Sequence, residues 1–560
     1  MTKPLFLARL VGTQEQMGAQ HGRLTAADAV RLLDFYKTMP ERVLAGDMGG
    51  AGKLAIRALA NAWQHSLTRT RPPEFAARTR AYVDAVAAQV PGHDKKAGLR
   101  TLATMDSMQN CVSLVARGAI GPFAKPLMRR AAVAAIPACS TAIAWGKTTV
   151  DGELLFARNF DFPGVGVWDA APAFVVCVPD AGQRYGFFAT RGADTVAVTV
   201  VNEAGIVIAP HTRWHRDVKW SGAMIVDIVH DIARRAETLE DVVRIARERP
   251  SASSWGLAVG SARQRSGLCL ELAGPHCDVV RPSGDHIVCT NHYKTATLQA
   301  GELSASAAWD HHSMRRERRL RSLIENRAAP LTAQDLAGFL GDREDPDAPG
   351  TTRRFGATLA QALNVHAVVV APGSRRAWMG VDRAPTCEGA WAELGWSWDG
   401  PAGGWEIGAT DGSGFTASSL PDFVAAQDEA TRHIHDLARA YEGSHDVPAA
   451  RAAIERAIVS APEDPSLRLI AAWIALEQRE PHAAIAHVHA GLAHETEPYR
   501  RGQLLLWGSR AAMKIDSALA RRWKSELGTL AGDGIDELSA RSSERHSGKP
   551  HANLMMVDAY

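Results

Sequence analysis

An apolar run of small residues leads into Cys139, and a strand-like segment further on ends in Arg158, Asn159, Phe160 and Asp161. Between them Asp151-Gly152 is a hairpin turn signal, so folding the two runs onto each other sets an arginine and a carboxylate beside a thiol. A thiol is a useful nucleophile only as thiolate, or when a base takes its proton; a neighbouring cation and carboxylate serve both ends. Read without their surroundings, Cys139 is equally a small buried apolar residue, and Arg158 with Asp161 a surface ion pair.

The elements that must hold these groups change character along the 560 residues. Before Cys139 the pattern is mostly helical: a short strand precedes Gly12, and residues 26–36 form an amphipathic Ala/Leu-rich helix. From Cys139 to about residue 425, short strands rich in Val, Ile, Phe and Trp are expected. They fall at 139–146, 154–159, 172–179, 184–190, 195–201, 205–209, 255–260, 267–273, 277–281, 286–289, 365–371 and 376–381. Helical spacing predicts helices over 220–248, 310–325 and 332–340. Strand groups interleaved with helix pairs suit a layered α+β domain. After residue 425 the chain is Ala-rich and helical, and Pro448, Ala450, Ala457 and Pro465 recur as Pro481, Ala483, Ala490 and Pro498. That shift of 33 residues is close to the tetratricopeptide period, so the region reads as repeat-like helix pairs. The expected division is 1–138, 139–425, 426–530 and a mobile tail at 531–560.

Composition narrows the function. Apolar residues at 46% and charged residues at 22% are those of a globular protein with a sizeable core. A net charge of +2 gives no reason to expect nucleic acid or an anionic membrane as a partner. No run approaches the length of a membrane span, and the N-terminus lacks a continuous apolar signal core with a cleavage site. Seven scattered cysteines do not form a disulfide framework, and a cytoplasmic location is the expectation.

The Cys139 hairpin resembles the start of the mature chain in N-terminal-nucleophile (Ntn) hydrolases of the penicillin acyltransferase type (peptidase C45-like, the acyl-CoA:6-aminopenicillanic acid acyltransferase family). It is more distantly similar to the choloylglycine hydrolase and penicillin V acylase group. Further stations occur in the family's order: Gly12 to Gly22, Asn202-Glu203-Ala204-Gly205, Thr290-Asn291, Arg353-Arg354-Phe355, and Thr358 to Val369. Ser140 departs from the Thr or Gly that many relatives carry after the nucleophile. The resemblance covers about residues 10–385 and implies a four-layer αββα Ntn sandwich with an N-terminal helical pro-region; the C-terminal helices lie outside it.

The same resemblance implies a chemistry. Cys139 attacks the carbonyl of Ala138, the chain is cut between them, and the freed α-amine of Cys139 becomes general base for its own thiol. It implies that Arg158 stabilises the thiolate region and Asp161 orients the amine. The Asn291 side chain and the Asn202 backbone N–H make the oxyanion hole, and Arg354, or its neighbour Arg353, supplies a second arginine. Trp214, His211 and Tyr293 are expected to line the substrate mouth. His211 with His215, and His311-His312 beside Asp310, lack a third ligand, so neither a metal nor another cofactor is expected. The expected function is an autoproteolytically activated cysteine amidohydrolase or acyltransferase acting on a small-molecule acyl amide or thioester. The alternatives are a lipid amidase or phospholipase B-like hydrolase on the same fold, or an uncleaved scaffold whose C-terminal helices bind a protein partner.

Overall fold

The computed structural model describes residues 5–45, 50–116, 138–303, 307–513, 515–532 and 534–542. Its strands are β1 (Phe6–Gly12), β2 (Ala138–Ala144), β3 (Leu155–Asp161), β4 (Pro172–Pro179), β5 (Tyr185–Thr190), β6 (Thr199–Asn202), β7 (Ile206–Thr212) and β8 (Ser254–Ser261). They continue with β9 (Ser266–Ala273), β10 (His276–Val280), β11 (His286–Cys289), β12 (Asn364–Ala371), β13 (Arg376–Gly380), β14 (Trp391–Trp396), β15 (Gly403–Glu406) and β16 (Phe415–Leu420). All twelve strands expected after Cys139 are present, while β14 to β16 were not read. Their short segments carry Gly, Ser and Glu among the aromatics, which blurs the alternation that marks a strand.

The longer helices are α1 (Gln14–Ala45), α2 (Gly50–Arg69), α3 (Pro73–Gln89) and α4 (Thr104–Ala116) before the hairpin, then α5 (Ile225–Arg235), α6 (Leu239–Glu248), α7 (Ala307–Glu325) and α8 (Ala333–Leu340). The C-terminal set is α9 (Glu429–Ala438), α10 (Val447–Ser460), α11 (Pro465–Glu477), α12 (Pro481–Leu492), α13 (Pro498–Ala512), α14 (Ser517–Leu527) and α15 (Ile535–Arg541).

Two sheets stack face to face. One runs β10-β9-β8-β7-β6-β5-β4-β1-β15 and the other β11-β2-β3-β12-β13-β14-β16. Alternation along the strands sends Ile143, Phe156 and Val368 of one sheet and Phe174, Val201 and Val207 of the other into a shared core. The outward face of the second sheet, including Ala142, Ala157 and Val369, is covered by Leu320 and Ile324 of α7 and Leu336 and Leu340 of α8. The outward face of the first sheet lies under α1, α4 and α5. The architecture is α+β, four layers deep in the order αββα, with a C-terminal helical region.

The N-terminal segment does more than cap the sandwich. β1 runs parallel to β4 on one side and antiparallel to β15 on the other, so residues 6–12 are an interior strand of the first sheet. Its partners lie more than 150 residues away, which local pattern cannot reveal. Arg71 pairs with Asp227 at 2.9 Å. Asp106 of α4 accepts hydrogen bonds from the Ser253 hydroxyl and from Trp255 Nε1. A cut before Cys139 would therefore leave the first piece held by sheet hydrogen bonds and buried polar pairs.

In the C-terminal region, Pro448 and Pro481 sit in the first turns of α10 and α12, and Pro465 and Pro498 start α11 and α13. A missing N–H costs nothing there, so the recurring prolines mark helix starts. The expected tail is partly ordered: Ile535 and Leu538 of α15 are buried against α13, while residues 543–560 lie outside the described residues. Among the described residues, no helix is long and apolar enough to cross a membrane.

Candidate active site

The hairpin sets the register of the site. Asp151 and Gly152 both have positive φ, +60° and +67°, as the turn requires, and β2 then pairs with β3 so that Ala138 faces Asp161, Cys139 faces Phe160 and Thr141 faces Arg158. The Cys139 thiol is buried, with Arg158 Nη2 at 3.4 Å from Sγ. The same Nη2 donates to the Pro210 carbonyl at 2.7 Å, which ties the guanidinium to the end of β7. Burial pushes the thiol's pKa up; Arg158 pulls it down, Asp161 pushes it up, and Arg316 and the Asp161 backbone N–H pull it down, with a raised value as the outcome. The resting group is a neutral thiol that needs a base.

Asp161 is suited to that need. Burial pushes its carboxyl up to about 7, against the pull of Arg316, of the Asn364 side-chain N–H at 2.9 Å, and of Arg158. Its Oδ1 takes the Asn364 bond, and its Oδ2 is buried without a hydrogen-bond partner.

Asn291, just past β11, grips the nucleophile's backbone. Its Oδ1 accepts from the Cys139 N–H at 2.8 Å and from Arg316 Nη2 at 2.9 Å; both partners are obligate donors, so the amide orientation is fixed. Its Nδ2 donates to the Thr212 carbonyl at 3.0 Å. Arg316 of α7 also donates from Nη1 to the Cys139 carbonyl at 2.8 Å and to Ser140 Oγ at 2.9 Å. Burial brings Arg316 down to about 10, so it remains a cation at neutral pH. It stands where the second arginine was expected, and the sequence reading missed it. The available signal was helical phase: His312, Arg316, Leu320 and Ile324 recur every fourth residue as a buried stripe, and an arginine on such a stripe is anomalous.

Other expected residues lie elsewhere. Asn202 caps α5 from its side-chain amide, donating to Ala233 O at 3.1 Å and Ala236 O at 2.8 Å, while Oδ1 accepts from the Ile206 N–H in the turn into β7. It sits at the opposite end of β7 from Pro210 and Thr212, about 13 and about 20 Å along the strand by its rise, so it is a turn residue away from the thiol. Arg354 pairs with Asp428 and Asp464, and Arg353 with Asp345 and Glu495; neither reaches the thiol. Tyr293 is buried with its hydroxyl on the Leu272 carbonyl at 2.9 Å and Trp214 is buried in the core. His211 does stay at the site, its Nε2 2.8 Å from Thr141 Oγ1 and its ring at the Cys139 backbone, where burial, then Arg158, Arg213 and Arg316, hold it well below the usual histidine range.

The cavity at the thiol opens on a different wall. It has a volume of about 130 Å³, and Cys139 and Phe160 share its lining with Phe162 and Trp168. Leu33 of α1, Val83 of α3 and Met105 of α4 line it too, so the N-terminal segment builds much of a largely apolar pocket.

Residues 148–384 match the family described as acyl-coenzyme A:6-aminopenicillanic acid acyl-transferase, a stretch that begins just after Cys139. The chain matches no curated protein. Among solved structures it is similar to a Caenorhabditis elegans N-acylethanolamine-hydrolyzing acid amidase (NAAA) ortholog at 13% identity and a TM-score of 0.30, over 42% of this chain and 93% of that one. Over residues 148–384 the chain is thus similar to that acyl-transferase family.

Proposed function

We propose that the protein cuts itself between Ala138 and Cys139 and then uses the Cys139 thiol to take an acyl group from a small amide or thioester, handing it to water or an amine. The observation that carries this reading is the buried Oδ2 of Asp161, without a hydrogen-bond partner, on the residue facing Ala138 across the hairpin. An α-ammonium created at Cys139 would meet a carboxylate that otherwise lies buried with half its acceptors unused.

In the self-cleavage the thiol proton passes to Asp161, sulfur bonds to the Ala138 carbonyl carbon, and the C–N bond breaks as the Cys139 nitrogen takes a proton. Water then hydrolyses the thioester and leaves a free carboxyl on Ala138. In turnover the new amine, with an intrinsic pKa of about 7.7–8.0, serves as the base. Arg158 steadies the thiolate, and Asn291 Nδ2, beside the pocket residue Thr212, is the donor offered to the acyl oxyanion.

Intact mass under denaturing conditions tests this. Wild type should appear as two fragments, the second beginning at Cys139, and Cys139→Ser as mostly one chain. An uncut wild type that is nonetheless active would sink the mechanism.

The pocket suggests the acyl class. Its volume of about 130 Å³ approaches that of a cavity which holds benzene, roughly 150 Å³, so an aromatic or medium-length acyl group fits better than a long lipid chain. Filling it by Met105→Trp should lower kcat/KM for aromatic acyl donors by about 100-fold, the loss of about three to four buried methylene equivalents at roughly 0.8 kcal/mol each. Acetyl donors should change little. Equal losses for both, in an acyl-length series, would move the acyl site elsewhere, and a preference for long lipid amides would favour the lipid amidase alternative.

A further inference from the structure

The active site as described leaves the C-terminal helices without a task. We infer that they hold Arg316 in position through His312 and residues 353–356, which makes them part of the catalytic apparatus. This rests on the reading of Cys139 as nucleophile.

The connection is a continuous chain of hydrogen bonds. Arg316 Nε donates to His312 Nδ1, one turn earlier on α7, at 3.3 Å. With Nδ1 accepting, the ring proton is on Nε2, which donates to the Gly356 carbonyl at 3.1 Å. Burial, then Arg316 and Arg500, hold His312 well below the usual histidine range, so the ring stays neutral and able to accept from an arginine.

The segment that carries Gly356 is held by the C-terminal helices at three successive residues. Arg353, 1% exposed, pairs with Asp345 and with both carboxylate oxygens of Glu495, just ahead of α13. The Arg354 N–H and guanidinium reach Asp464 Oδ2, the cap of α11, at 3.0 and 3.2 Å. The Phe355 N–H donates to Ser466 Oγ at 3.3 Å. Gly356 itself has φ of +132°, a conformation that favours glycine, and the Arg500 guanidinium of α13 lies close against it. A parallel connection runs through Arg315, which pairs with Asp347 and lies 3.8 Å from Glu497, the cap of α13.

A long flexible side chain that grips both the nucleophile's carbonyl and Asn291 needs a rigid support. The helices supply it from outside the acyl pocket, whose helical wall comes from α1, α3 and α4.

The test is a double-mutant cycle on the full-length protein, following single-turnover acylation by a 4-nitrophenyl ester of an aromatic acid, with sites counted from the burst. Glu495→Gln should slow acylation per titrated site by about 10- to 100-fold, the scale of a small misplacement, with KM for the ester unchanged. Arg316→Lys should do at least as much, and the double variant should be no slower than Arg316→Lys alone. Independent, multiplying effects would overturn the inference, as would a Glu495→Gln protein that acylates normally per site and has only a lower Tm. His312→Gln, read in the same cycle, replaces Glu495→Gln if that variant does not fold. A wild type with no burst and no Cys139 adduct fails the nucleophile reading and this inference with it. A normal wild-type burst with an unaffected cycle fails this inference alone.

Discussion

Arg316→Ala is expected to slow self-cleavage before Cys139 by at least about 10³-fold, the upper end of what loss of one preorganised donor costs. Three acceptors lose a charged partner at once: the Cys139 carbonyl, Ser140 Oγ and Asn291 Oδ1. Without Arg316 the Asn291 amide keeps only the Cys139 N–H to fix its orientation, so its Nδ2 is less firmly directed to the Thr212 side of the pocket. Asp161 also loses the strongest of the influences that hold its pKa down, so it should stay protonated to higher pH and serve less well as a base. Cleavage is followed as the appearance of the second fragment over time, with near-UV circular dichroism to establish that the variant is folded. A folded Arg316→Ala protein that cleaves within threefold of the wild-type rate would remove Arg316 from the chemistry.

The second large effect belongs to Asp161. Its carboxyl titrates near 7 in the uncut chain, so the wild-type cleavage rate should rise with pH through about 7 as the carboxylate forms and takes the thiol proton. Asp161→Asn should lose that inflection and fall by about 10²–10⁴-fold, the usual contribution of a positioned base. The stability of an uncut chain should move in the opposite sense. Because burial raises the folded pKa above the unfolded value, near 3.9, the unfolded chain releases this proton first. The stabilising contribution is fully present below that unfolded value and is lost as pH rises through about 7. Cys139→Ser, which keeps Asp161 without an ammonium partner, should therefore melt at lower temperature at pH 8 than at pH 5, beyond any change seen in Cys139→Ser/Asp161→Asn. Identical pH dependence in the two proteins would show that Asp161 is ionised throughout, and the inflection near 7 in the cleavage rate would have to belong to another group.

On the proposed mechanism, burial would also keep Cys139 inert until it is needed. Burial keeps the thiol protonated and raises Asp161 to about 7, yet each is bordered by Arg158 and Arg316, so a proton passed from the thiol to the ionised carboxylate moves the negative charge onto sulfur within a site already lined with buried cations. Asp161 comes beside the Ala138–Cys139 bond, facing Ala138, because β2 and β3 are neighbours in one hairpin.

How far the sequence speaks for itself depends on the range of the contact. The placement of Arg158 and Asp161 near Cys139 was legible, since a hairpin of known turn and period-two strands sets its own register. The twelve strands after Cys139 and the 33-residue recurrence of C-terminal helix pairs were legible for the same reason: side-chain periodicity and helix-starting prolines are local. Asn291 was named through the family resemblance, whose Thr-Asn element it matches, and its grip on the Cys139 N–H follows from β11 pairing with β2.

What only the tertiary structure decided involves partners far apart in the chain. α7 carries Arg315, Arg316, Arg318 and Arg319, and the angle at which it docks, with Leu320 and Ile324 against the second sheet, turns Arg316 alone of these toward the nucleophile. Arg353 and Arg354 had the composition of a site and became fasteners, because the acidic residues that claim them come from helices more than 70 positions later as well as from nearby Asp345. Asn202 marked the correct strand but the wrong end of it, because β7 carries the chain from that turn to Thr212 beside the thiol. The strand β1, the apolar pocket wall from α1, α3 and α4, and the relay through His312 all arise from packing between segments that share no local pattern. Local periodicity and turn chemistry determine the elements and the nucleophilic hairpin, while the docking of whole helices and sheets determines which cations, carbonyls and apolar side chains surround it.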